Sequence, residues 1–218
     1  MLTKIIEAIK NIVDLVLPPR SNYEIVKRLD EKSIYQIPRA GKIPGFDWIY
    51  PIFQYKDVRV KAIVWELKYR ENTKPLEVIG KMMFEEILSL ISDIILFNNN
   101  AEFLLIPIPM TVSAKSDRGY NQSEIISKAI IENDTKRILL YAPQWFQKIK
   151  ETAKQSHSTT KEERIKNLEN CFEANSNVSG KYVILIDDVV TTGSTLKEAR
   201  SELIRAGVKD VYAITIAH

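Results

Sequence analysis

The stretch Asp187-Asp188-Val189-Val190-Thr191-Thr192-Gly193-Ser194-Thr195 carries the densest chemistry in this 218-residue chain. Two adjacent carboxylates are followed by a hydroxyl-rich turn broken by one glycine. The hydroxyls of Thr191, Thr192, Ser194 and Thr195 can donate to phosphate oxygens, and successive backbone N–H groups at a helix start favour an anion. Gly193 lacks a Cβ, which permits unusual dihedrals and a close approach by a ligand. Asp187 and Asp188 would repel a phosphate, so their natural partners are sugar hydroxyls beside it. A carboxylate pair next to a phosphate cradle reads as a ribose-5-phosphate site. Taken singly, the same residues also suit an ordinary turn closed by Asp188, with a capping box between Thr195 and Glu198.

These groups need a strand before them and a helix after them. Val183-Ile184-Leu185-Ile186 is an apolar, largely β-branched run of the kind buried in a parallel sheet. Leu196, Ala199, Leu203 and Ile204 then recur at helical spacing. Strand, acidic pair, small-residue loop and helix put the polar groups at the carboxyl end of a strand, where open α/β sheets bind ligands.

The rest of the chain alternates in the same way. Val58, Ala62, Trp65 and Tyr69, with Ile63 and Leu67, predict a helix, and Pro75 opens a second one reaching about Leu96. Asn98-Asn99-Asn100 marks a turn. Phe103–Ile108 reads as a strand feeding a polar loop, Pro109 to Asn121. A helix follows with Ile125, Ile126, Ala129 and Ile130 inward. Trp145–Ile149 is a third strand, and Tyr182–Ile186 and Val211–Ile216 complete the set. The fold class is α/β, an open parallel sheet with helices on both faces.

Residues 1–50 form an amino-terminal helix and small extension, and residues 51–218 the main domain. Leu2, Ile5, Ile6, Ile9, Ile12, Val13 and Val16 mark one face of an amphipathic helix that Pro18-Pro19 ends. Charged residues interrupt it, so it neither spans a membrane nor forms a leader's apolar core. Beyond it the only strand candidates before residue 55 are Ser33–Ile37 and Trp48–Phe53.

Composition narrows the class. Apolar content of 45% and charged content of 27% are those of a soluble globular protein, and the net charge of +3 is too mild to predict nucleic-acid binding. The lysines between Lys148 and Lys166 are interleaved with glutamates and give no basic stripe. One cysteine and two histidines support neither a disulfide framework nor a closed zinc site, which fits a cytoplasmic, reducing setting. Cys171, beside Phe172, reads as a small core residue.

The thirteen residues Val183 to Thr195 together resemble the phosphoribosyl-pyrophosphate (PRPP) signature of type I phosphoribosyltransferases. Further segments sharpen this. Ile106-Pro107-Ile108-Pro109 with Arg118-Gly119-Tyr120-Asn121-Gln122 resembles the "VP-P…RG-NQ" motif of the ComF family, phosphoribosyltransferase-like proteins associated with competence for DNA uptake. Leu67-Lys68-Tyr69 is similar to that family's "LKY" element, and Lys148-Ile149-Lys150-Glu151-Thr152 with Gln155 to its "R-x-R-x-T-x-x-Q" run. Arg164, Asn167 and Phe172 match its following positions. Two departures stand out: the cysteine-rich zinc knuckle that relatives often carry after a "PP" turn is missing, and the two arginines of the run are Lys148 and Lys150. Lysine keeps the charge but not the planar phosphate-gripping fork.

The resemblance implies a type I phosphoribosyltransferase fold and a site for PRPP carrying Mg²⁺. Asp187 and Asp188 would hold the ribose hydroxyls, and Thr191, Thr192, Gly193, Ser194 and Thr195 the 5-phosphate. Lys115 to Tyr120 would form the pyrophosphate loop, with Arg118 neutralising leaving-group charge and Gly119 letting the backbone close in. Residues 150–165 would be a closing loop, with Lys150 and Lys154 as electrostatic stabilisers. It implies a pentosyl transferase acting on an unknown acceptor and linked to DNA uptake. The alternatives are a non-catalytic PRPP- or nucleotide-binding regulator and an interaction protein of the uptake machinery.

Overall fold

The computed structural model describes residues 20–150 and 171–218. Its centre is a five-stranded, all-parallel sheet made of β1 (Ile49–Phe53), β2 (Phe103–Pro107), β3 (Leu139–Tyr141), β6 (Tyr182–Val189) and β7 (Asp210–Ala217). Their order across the sheet is β1-β7-β6-β2-β3. The alternation along each strand sorts side chains into two cores. Ile184, Ile186, Ile214 and Ile216 face one, shared with helices α3 (Val58–Arg70), α4 (Leu76–Phe97) and α6 (Gln122–Ile131). Val183, Leu185, Val211 and Ala213 face the other, where α7 (Ser194–Arg205) packs with Leu196, Ala199 and Leu203. A sheet covered on both faces explains why its strands read as continuous apolar runs.

Connection order fixes where a ligand can sit. The chain leaves β2 through α6 and arrives at β3 on one side; it leaves β6 through α7 and arrives at β7 on the other. Between β2 and β6, paired from Phe103↔Tyr182 to Pro107↔Ile186, the connections therefore diverge. The carboxyl ends of these two strands open a crevice at that switch point.

Several expectations change in detail. Ser33–Ile37 is not a strand: α2 spans Glu31–Tyr35, because Asp30 caps it by accepting the Ser33 N–H at 2.8 Å. Ile34 and Ile37, three apart, are both buried, which is helical rather than strand spacing. These two and Val26 of α1 (Arg20–Arg28) belong to the same core as α3 and α4. Strand β1 lies on both sides of residue 50, and it tolerates Pro51 because it is an edge strand. In α3 the buried stripe is Val60, Ile63, Val64 and Leu67, while Val58 and Tyr69 are exposed.

The polar stretch after β2 is not all loop. Thr111 caps a short helix, α5 (Val112–Arg118), by accepting the Ala114 N–H. Trp145–Ile149 does not join the main sheet either. Its core, β4 (Phe146–Lys148), pairs antiparallel with β5 (Phe172–Ala174), and the rings of Phe146 and Phe172 stack at 5.0 Å. The third strand preceding it is β3, where the Asp134 carboxylate accepts the N–H groups of Ile138 and Leu139 and turns the chain into the sheet.

Candidate functional site

Asp187 and Asp188 end β6 at the carboxyl edge, and the loop through Gly193 runs from them into α7. The N-cap of α7 is Gly193 itself, in the left-handed region at φ 71°, with no side-chain cap bond. The capping box between Thr195 and Glu198 is therefore not what starts this helix. Thr191 and Thr192 are exposed, Ser194 and Thr195 partly so. The hydroxyls of Thr192 and Ser194 lie 2.8 Å apart, one donating to the other. The Ser194 N–H also reaches Thr192 Oγ1, at 3.4 Å, and exposed hydroxyls over a helix start present a surface suited to a phosphate.

Gly193 is needed for a further reason. A Cβ there would lie 2.8 Å from the Phe46 ring, so the close approach to this glycine comes from within the protein, from the extension ahead of β1. Phe46 in turn meets Trp48 edge-on at 6.1 Å.

The two carboxylates have different partners. Asp187 Oδ1 accepts from Ser123 Oγ at 3.1 Å and from the Asp188 N–H at 2.9 Å. Asp188 Oδ1 accepts the Val189 N–H at 2.6 Å, and its Oδ2 lies 3.0 Å from Lys68 Nζ. Burial is the main force raising the Asp187 carboxyl from 3.8 to about 7, and the charge of Asp188 adds to it. The Asp188 N–H, the Ser123 hydroxyl and Lys68 all oppose that rise.

Strand β2 delivers the other half of the crevice. Lys115 and Arg118 lie in the last turn of α5, and Gly119 ends it in the left-handed region at φ 85°, its N–H on the Lys115 carbonyl at 2.8 Å. A Cβ on Gly119 would meet nothing within 4 Å, so its conformation alone calls for glycine. Lys115 pairs with Glu124 at 2.8 Å, and Arg118 donates to Gln122 at 3.0 Å. The turn is held from outside: Tyr120 OH donates to the Leu67 carbonyl at 2.9 Å and accepts the Glu71 N–H at 3.0 Å. Asn121 Nδ2 donates to the Ile108 carbonyl, and its Oδ1 caps α6.

The candidate residues therefore fall into groups. Asp187 and Asp188, with Thr191 through Thr195, follow β6, while Lys115, Arg118 and Gly119 follow the neighbouring β2. Lys150 is exposed beyond β4 and lies near Cys171; Lys154 and the segment 151–165 of the anticipated closing loop lie outside the described residues. Burial pushes the Cys171 thiol up, as suits a core residue. Lys68, Tyr120, Asn121 and Gln122 sit in motifs quoted above, but only their contacts assign them work. No pattern in the chain singles out Ser123 or Phe46.

A family model described as a phosphoribosyl transferase domain matches residues 107–218, a little over half the chain. The chain belongs to that family. With relatives named competence protein F and competence protein ComFC, the chain is a ComF-type member, as its motifs imply. It is 25% identical over 157 residues to DNA utilization protein YhgH of Salmonella typhimurium, covering 70% of this chain and 64% of that one. It is 30% identical over 124 residues to competence protein F of Haemophilus influenzae, covering 52% and 49%. Competence protein ComFC of Bacillus subtilis matches at 30% over 107 residues, covering 48% and 40%. The chain thus spans between two fifths and two thirds of the length of these relatives.

Proposed function

We propose that this protein binds Mg-PRPP across the β2–β6 crevice and transfers its phosphoribosyl group to an acceptor, releasing pyrophosphate. One observation carries the reading: an acidic pair with a glycine-capped, hydroxyl-rich helix start and a second loop bearing Lys115 and Arg118 follow adjacent strands at the switch point.

In this reading the 5-phosphate takes the N–H groups and hydroxyls of Thr191 to Thr195. The ribose hydroxyls donate to Asp187 and Asp188, each charge-assisted bond contributing roughly 1.5–3 kcal/mol. Lys115 and Arg118 would exchange Glu124 and Gln122 for the pyrophosphate, spreading positive charge where the leaving group gathers negative charge. The divalent ion arrives as part of the substrate, on the pyrophosphate oxygens. Lys150 and Lys154 would act at closure, with residues 150–165 shutting the crevice.

The relatives' names, DNA utilization protein and competence protein, lead us to assign this chain to the handling of incoming DNA, and its single cysteine, which forms no disulfide within the chain, supports a reducing, cytoplasmic location. Among the described residues no helix is long and apolar enough to cross a membrane. A non-catalytic, PRPP-sensing role is the second reading, favoured by the internal partners that Lys115 and Arg118 already have.

Calorimetry with Mg-PRPP on the wild type and on Asp187→Asn/Asp188→Asn tests binding, and pyrophosphate release over a panel of bases and amines tests transfer. Binding lost in the double variant and release with some acceptor support the transferase. Tight binding with no release selects the sensor, and affinity unchanged by the double substitution removes the ribose assignment.

A further inference from the structure

Lys68 belongs to a helix whose buried stripe packs into the core, yet its ammonium reaches the acidic pair. Its Nζ lies 3.0 Å from Asp188 Oδ2, with the two side chains 28% and 12% exposed, so the contact is largely withdrawn from solvent. The helix end that carries it is pinned. Tyr120 OH donates to the carbonyl of Leu67, Gln122 Nε2 reaches the carbonyl of Lys68 itself at 3.5 Å, and the N–H of Glu71 donates back to Tyr120. Glu71 closes α3 in the left-handed region at φ 52°, unusual for a residue with a side chain. Three separate elements, α3, the turn 119–122 and the end of β6, are thus tied together around one ion pair.

The chemistry of an adjacent acidic pair explains why a cation is wanted there. Two enclosed carboxylates cannot both ionise cheaply, and they tend to share a proton. A protonated carboxyl donates a hydrogen bond where a sugar diol needs an acceptor. A doubly charged pair would also repel a phosphorylated ligand. An ammonium 3.0 Å from Asp188 bears on both problems, favouring the ionised pair and halving its net charge. Lys68 faces the pair from α3 and Ser123 from α6, while Glu124, also on α6, is turned to Lys115.

We infer that Lys68 is a positioning residue of the acidic pair: it holds Asp188 oriented and favours the ionised form of the pair, and so extends to lower pH the range over which a ribose diol can bind. This rests on the ribose reading of Asp187 and Asp188, and the experiment separates the two. Lys68→Met preserves the length and apolar stem of the side chain, and Lys68→Arg preserves the charge.

Carbon-13 NMR of the Asp187 and Asp188 carboxyls, assigned with the single asparagine variants, is followed against pH in each protein without ligand. In Lys68→Met the upper titration of the pair should move up by about one pH unit, and in Lys68→Arg it should stay near the wild type. Mg-PRPP affinity at pH 7 should fall roughly tenfold in Lys68→Met and recover when the pH is raised by the same interval. The wild-type Lys68 Cε resonance should shift at the same midpoint as the carboxyls, which tests the coupling even if the methionine variant fails to fold. Superimposable carboxyl titrations in folded wild type and Lys68→Met overturn the inference, and so does a shifted titration with unchanged PRPP affinity. A shifted titration in a protein that binds no PRPP leaves the hold of Lys68 on the pair intact and removes the ribose reading instead.

Discussion

Replacing Asp187 by asparagine should stabilise the ligand-free protein while weakening its ligand. The Oδ1 of asparagine can take over both bonds that Asp187 Oδ1 now accepts, from Ser123 Oγ and from the Asp188 N–H. What disappears is a carboxylate that burial and the neighbouring Asp188 have raised from 3.8 to about 7. Because the folded-state value lies above the unfolded one, the native state holds the extra proton. Wild-type stability therefore falls as pH rises from about 4 through about 7, and the deficit is complete above that. The whole shift corresponds to about 4 kcal/mol, and sharing between two carboxyls and residual solvent contact bring the expected gain to about 2 kcal/mol. Urea unfolding of wild type and Asp187→Asn at pH 8, 7, 6 and 5 reads this directly. The variant should lead by about 2 kcal/mol at pH 8, or about 4–8 °C in Tm, and the lead should shrink to less than half of that at pH 5. An Asp187→Asn protein no more stable than wild type at pH 8, or a lead that grows on acidification, would refute the reasoning. The expected pattern is the one seen where a site keeps charged groups together for a ligand at the expense of the empty fold.

Two further substitutions test the packing that shapes the crevice. Gly193→Ala should cost roughly 2–4 kcal/mol in urea unfolding, combining a left-handed φ of 71° with a Cβ 2.8 Å from the Phe46 ring. In a Phe46→Ala background only the backbone part, about 1–2 kcal/mol, should remain, so strictly additive effects would contradict the contact. Gly80→Ala in α4 would place a Cβ 2.6 Å from the carbonyl oxygen of Ala129 in α6. The helix-propensity gain of about 1 kcal/mol should be outweighed by separation of the two helices, for a net loss of roughly 1–2 kcal/mol. A raised Tm would show that the helices yield more easily than their backbone contact implies.

The parts legible in the sequence are those written in contiguous residues. Val183 to Thr195 encode strand, acidic pair, turn and helix start within one short run, because each depends on neighbours a few residues away. The apolar runs of β2, β6 and β7 identify themselves because a doubly covered strand has no polar face to interrupt it. Shorter elements do not. Strand β3 has three residues and shows no period, and its place is set by the Asp134 carboxylate gripping the N–H groups of Ile138 and of its first residue, Leu139. Asp30 likewise turns Ser33–Ile37 from an apparent strand into the helix α2.

The electrostatics of the site are the least legible part, since they depend on groups that only folding brings together. Ser123 reaches Asp187 across a sequence separation of 64, and Lys68 reaches Asp188 from a helix that lies far ahead of it in the chain. Phe46 meets Gly193 from the far end of the chain, so a glycine that the sequence reserves for a ligand is also required by packing. Local sequence determines which chemical groups stand at the carboxyl edge of the sheet. Tertiary structure decides their charge state and their orientation, because both are set by burial and by partners distant in the chain.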